Sequence, residues 1–93
     1  MRDVYKDEVD VEVESYPGLK VNIRRKIRLV RSEGVFEILF NYSVSWEKAD
    51  GLMTGSISSM FERTDTLDEA IEMVDTMTEQ VKVRAVKARK AGM

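Results

Sequence analysis

The sequence predicts an α+β fold: a four-stranded antiparallel meander sheet with one C-terminal amphipathic helix packed on one face. Three observations carry this. Phe36, Ile38, Phe40, Tyr42, Val44 and Trp46 fall on every second residue, with mostly polar residues between them. A strand points successive side chains to opposite faces, so all six line one face of a half-buried strand. After Phe61 the apolar period lengthens from two to three or four, the period of a helix. Turn signals separate the alternating runs at Tyr16-Pro17-Gly18, Glu33-Gly34 and Asp50-Gly51. One domain spanning 1–93 is expected, with strands near 8–15, 19–31, 35–47 and 52–61 and a helix near 66–91.

The first strand sets Val9, Val11 and Val13 on one face and Glu8, Asp10, Glu12 and Glu14 on the other. The second sets Leu19, Val21, Ile23, Ile27 and Leu29 against Lys20, Asn22, Arg24, Lys26 and Arg28. Both apolar sets are odd-numbered, so facing residues must add to an even number, and the connecting loop should hold three or five residues. The longer loop faces Glu12 with Arg24, Asp10 with Lys26 and Glu8 with Arg28. The second and third apolar sets are odd and even, which asks for a two-residue turn at Glu33-Gly34, with Leu29 opposite Ile38 and Ile27 opposite Phe40. Asp50-Gly51 reads as a type I′ hairpin, with Trp46 opposite Gly55, Val44 opposite Ile57 and Phe40 opposite Phe61. The even-numbered Thr54, Ser56 and Ser58 then join the polar face.

Thr66 to Glu69 fits a capping box, Thr66 being the N-cap. Leu67, Ala70, Ile71, Val74, Met77, Thr78, Val81, Ala85 and Ala88 form the apolar stripe of the helix. Its acids (Asp68, Glu69, Glu72, Asp75, Glu79) precede its bases (Lys82, Arg84, Lys87, Arg89, Lys90), the order the helix dipole favours. Such a helix is about 37 Å long. It is expected to cross a sheet about 19 Å wide diagonally. Its last basic turn would then project beyond the sheet.

The composition narrows the chemistry. The chain has no Cys and no His, which removes disulfides, thiol nucleophiles, the commonest general base and the commonest transition-metal ligand. The serines at 56, 58 and 59 have no base beside them in the sequence, and Gly51 to Ser56 is followed by neither the Lys nor the helix of a phosphate loop. Glu8, Asp10, Glu12 and Glu14 are opposed by bases rather than gathered around a cation. The chain reads as non-enzymatic, with no catalytic, cofactor or metal site. Its N-terminus has no apolar signal-like core and no run is long enough to span a membrane, so a cytoplasmic protein is expected.

The net charge of −2 hides a segregation. Residues 1–15 carry six acids and two bases, and residues 20–31 carry six bases and no acid. Residues 32–80 carry eleven acids and two bases, and residues 81–93 five bases and no acid. On the face away from the helix, Lys20, Asn22, Arg24, Lys26 and Arg28 run beside Ser43 and Ser45. This is a nucleic-acid-binding candidate, more plausibly for single strands, since cations and small polar groups suit a phosphate backbone. Some dimeric single-stranded-DNA-binding proteins use this layout of sheet, helix and open basic face, an analogy of topology without a shared residue motif. The alternative is a protein-interaction module, acting as accessory, adaptor or inhibitor. A homodimer through strand 52–61, or through a helix fringe at Met73 and Met77, is also expected, because that strand is an unprotected sheet edge. Arg25 falls among apolar residues, where it is expected to snorkel to the sheet edge or pair with a helix acid such as Glu72 or Asp75, the alternative being a contact residue for a partner.

Overall fold

The computed structural model describes residues 2–92. It contains β1 (Arg2–Val11), β2 (Lys20–Val30), β3 (Val35–Glu47), β4 (Met53–Thr64) and α1 (Leu67–Ala91). The strands form one antiparallel sheet in the order β1-β2-β3-β4. The α+β meander read from the sequence is therefore the fold, and the corrections concern lengths and register.

β1 starts earlier than expected and ends at Val11. Val9 faces Ile23 and Glu8 faces Arg24, so the even-number rule holds. The connection, however, runs over 12–19, longer than the three or five residues expected. The pairs Glu12–Arg24, Asp10–Lys26 and Glu8–Arg28 do not form. Two successive turns, Tyr16 N–H to Val13 O and Leu19 N–H to Tyr16 O, fold this segment back so that Val13, Tyr16 and Leu19 reach the core. A bulge between Asp3 and Tyr5 shifts the last pairs, placing Asp3 opposite Arg28.

Between β2 and β3, four residues make the turn instead of two. Glu33 and Gly34 N–H both donate to Val30 O, and Gly34 takes φ +66°. Ile27 therefore faces Ile38 and Leu29 faces Phe36. This is a slip of two residues, which keeps every side chain on its expected face.

The β3–β4 turn changes more. Gly51 N–H donates to Lys48 O, Lys48 N–H donates to Leu52 O, and Gly51 sits at φ +84°. These bonds describe a three-residue loop with a type I turn and a left-handed glycine, not a two-residue I′ turn. The Asp50 carboxylate accepts the Leu52 N–H at 3.0 Å and fastens it. The register slips by one, so Trp46 faces Thr54, Val44 faces Ser56, Phe40 faces Met60 and Leu39 faces Phe61. A one-residue slip exchanges the faces of the whole strand. Met53, Ile57 and Phe61 leave the helix side for the open side, and Thr54, Ser56 and Ser58 take their place. Gly55 faces Ser45 instead of Trp46, and a Cβ there would lie 2.1 Å from the Val44 carbonyl oxygen.

The core joins Val21, Ile23 and Ile27 of β2 with Ile38, Phe40, Tyr42, Val44 and Trp46 of β3 under Ala70, Val74, Met77, Val81 and Ala85 of α1. Thr66 caps the helix, its hydroxyl oxygen accepting the Glu69 N–H at 3.1 Å. The strands, at about 3.3 Å per residue, are as long as the helix. The basic end of α1 consequently docks on the sheet instead of projecting beyond it. The Arg89 guanidinium lies 5.8 Å from the Tyr16 ring and 5.6 Å from the Trp46 ring, and Gly92 packs against Trp46 with no room for a Cβ.

Candidate interaction surface

The face away from α1 is built in cross-strand rows, each set by the register. Lys20, Ser45 and Gly55 form one row, followed by Asp10, Asn22, Ser43 and Ile57. Next come Glu8, Arg24, Asn41 and Ser59, then Lys6, Lys26, Leu39 and Phe61, then Asp3, Arg28, Glu37 and Arg63. Lys20, Asn22, Arg24, Lys26, Arg28, Ser43 and Ser45 thus do share one face.

β1 occupies three of those seven side chains, Asn22, Arg24 and Lys26, and Glu37 of β3 occupies Arg28. Arg24 Nε donates to Glu8 at 3.1 Å, and the Asn22 amide donates to Asp10 at 2.9 Å and Glu8 at 3.2 Å. Lys26 is 3.9 Å from Asp3. Arg28 donates to Glu37 at 3.2 Å, and Arg63 grips the other oxygen of that carboxylate at 2.9 Å. The Glu37 side chain is only 5% exposed, so the carboxylate between the two guanidinium groups is shielded from solvent, while Arg63 itself is half exposed. Along its rows and at Glu47 beside Met53, the face carries six bases and five acids. Exposed pairs such as Arg24–Glu8 add about 0.2–1 kcal/mol each, but they cancel most of the field a polyanion would need.

On the helix side, Arg25 takes Asp7 of β1 as its partner instead of Glu72 or Asp75. Its Nε and Nη2 donate to the two Asp7 oxygens at 2.8 and 2.6 Å, and Nη1 donates to the Thr78 hydroxyl at 3.2 Å. The Tyr5 hydroxyl also donates to Asp7. The Arg25 hydrogen bonds hold the Asp7 carboxyl below the usual carboxylate range, against an opposing push from burial. The bond to Asp7 raises the Tyr5 hydroxyl above its ordinary value. This cluster ties β1, β2 and α1 together and is a clamp on the first edge of the sheet.

The other edge is different in kind. Ile57 is 85% exposed, Met53 53% and Phe61 52%, all on the open face of β4, with Leu52 exposed at the turn. Residues 52–61 carry no charge, in a chain that is 34% charged. Beneath them, facing the helix side, are Thr54, Ser56 and Ser58. Three of its four large apolar side chains between Met53 and Phe61 thus face solvent, and Met60 alone of these packs against the core, while Ser56 and Ser58 on the helix side are themselves exposed. The outward Met53, Ile57 and Phe61 were missed because their odd-numbered alternation matches a core pattern, and only the loop length reveals their true face. Met77, expected on a surface fringe, is fully buried, while Met73 packs against the core and is partly buried.

Compared with known protein families, curated proteins and solved structures, the chain matches none. Among the described residues, no helix is long and apolar enough to cross a membrane.

Proposed function

We propose that this protein is a non-enzymatic, cytoplasmic protein-interaction module whose binding surface is β4. The observation that carries this reading is the outward apolar face of the fourth strand. An exposed apolar residue is ordinary by itself. A continuous uncharged edge strand with Met53, Ile57 and Phe61 turned outward is an unsatisfied surface, since its outer N–H and C=O groups also lack strand partners. Such an edge accepts an added strand: main-chain bonds supply affinity, and the side chains on each face supply selection. The test is selection of extended peptides from a random display library on the immobilised protein. Peptides that bind the native chain and not an Ile57→Lys/Phe61→Lys variant support the reading. A library that yields none, or binders indifferent to that change, removes it.

A second reading, binding of single-stranded nucleic acid, is favoured by one feature. Phe61 is an outward aromatic in the same row as Lys26 and Lys6, and an aromatic beside cations suits base stacking. Fluorescence anisotropy with oligonucleotides across a salt series decides it. Affinity that falls steeply with salt and disappears in Arg24→Glu/Lys26→Glu would favour this reading, and absence of binding at low salt excludes it.

A further inference from the structure

We infer that the strand taken up by β4 is the β4 of a second copy of this chain, paired antiparallel about a two-fold axis at Ser59 to make a continuous eight-stranded sheet. The inference rests on the reading of β4 as the interaction surface and names its occupant.

Geometry restricts the arrangement sharply. Two identical edge strands can pair antiparallel about a two-fold only if the axis stands perpendicular to the sheet. Both helices then lie on the same side, and facing residues add to an even number. Each outward side chain of one β4 consequently meets an outward side chain of the other. Centring on Ser59 overlaps the strand from Thr54 to Thr64. It places Phe61 of each copy opposite Ile57 of the other, one pair on each side of the axis. Aromatic and β-branched residues are a favourable cross-strand pair. This register covers Ile57, the most exposed large apolar residue among the described residues, with one that is itself half exposed.

The helix supplies an independent argument, from charge. α1 runs back along β4 from Thr64. Ser59 lies five residues from that end, about 17 Å at ~3.3 Å per residue. The same distance is about 11 residues of helix at 1.5 Å each, near Thr78. That is the boundary between the acidic half of α1, Asp68 to Glu79, and the basic half, Lys82 to Lys90. A two-fold at this level sets the two helices antiparallel, with the acidic half of each on the side of the basic half of the other. The axis that matches Phe61 with Ile57 is thus also the axis that matches the charges. A groove between β4 and α1 lies along this line, lined by Met60, Phe61, Glu79, Val83 and Lys87 among others. It is where the second copy would approach.

Sedimentation of the native chain at tens of micromolar is the first measurement, with a species at twice the 10.7 kDa of one chain expected. Ile57→Lys/Phe61→Lys should sediment as a monomer with an unchanged circular dichroism spectrum. The chain has no cysteine, so Ser59→Cys introduces a single thiol that should cross-link two copies under mild oxidation, while Ser45→Cys on β3 should not. A native monomer overturns the inference. So does a dimer that survives the double lysine change, or one that Ser59→Cys fails to cross-link. A native monomer that still binds extended peptides through β4 defeats the second copy alone. A native monomer without such binding defeats the broader reading as well.

Discussion

β1 and β4 are the two edges of one sheet, yet six of the ten residues of β1 are charged, and of the twelve in β4 only Glu62 and Arg63 are. An edge strand exposes unpaired backbone groups that any other strand can join, and charged side chains are a common defence. β1 has that defence and also a clamp, since Asp7, Arg25 and Thr78 bind the strand to β2 and α1. β4 has neither along residues 52–61, and it turns Met53, Ile57 and Phe61 outward. The same chain protects one edge and leaves the other open. That difference supports our proposal of β4 as the interaction edge, while Arg24 and Lys26 of the β2 stripe pair with acids of β1.

If that division is right, changes to the ion-pair clusters away from residues 52–61 should damage stability and spare association. The largest effect is expected at Glu37, whose removal leaves Arg28 and Arg63 without their shared carboxylate. The Arg28 side chain is 27% exposed and its Nε already lacks a partner among the described residues. Glu37→Ala should cost about 2–3 kcal/mol, below the range for a fully buried pair because Arg63 reaches solvent. Urea unfolding of a dilute sample measures it, and a cost near zero would mean the bridge is ornamental. Asp7→Asn should cost less, about 1–2 kcal/mol, because the pair is only partly shielded.

The same cluster predicts two pH limbs. Asp7 has a lowered pKa in the folded chain, so its contribution is complete above the unfolded value of about 3.9 and is lost as pH falls through the folded value. Tyr5 has a raised pKa, so its contribution is complete below about 10 and is lost as pH rises through the folded value. Asp7→Asn should flatten the acid limb of a stability profile, and Tyr5→Phe the alkaline limb. If either substitution leaves its own limb unchanged, the clamp does not work as described.

The division between the edges was only half legible in the sequence. Alternation over Phe36–Trp46 and the period change after Phe61 specify four strands and a helix, because burial on one face imposes those periods. The basic stripe was visible too, as was Arg25's need for a partner. Its actual partner was not, because Asp7 reaches it only through a β1–β2 connection longer than the turn residues suggest. The orientation of β4 was hidden for a related reason. Asp50-Gly51 suits either a two- or a three-residue loop, and the bonds that mark the longer one, Gly51 N–H to Lys48 O, Lys48 N–H to Leu52 O and Leu52 N–H to the Asp50 carboxylate, have no distinct signature in the sequence. The apolar pattern favoured the wrong choice, because Met53, Ile57 and Phe61 look like core. A surface made for a partner carries the same side chains as a core, so alternation alone does not separate the two.

The smallest expected effect separates the edges most cleanly. Ile57 is 85% exposed, so a lysine there removes almost no contact within one chain. Its stability in a dilute sample should stay within about 0.5 kcal/mol of the native value. Concentration should then pull the two proteins apart. Where the native chain associates, its unfolding midpoint rises with protein concentration, because association stabilises only the folded form. Ile57→Lys should show no such rise. If the native midpoint is also independent of concentration, β4 is not joined by its own copy. If Ile57→Lys is instead destabilised at high dilution, Ile57 supports the single chain and the contrast between the two edges weakens.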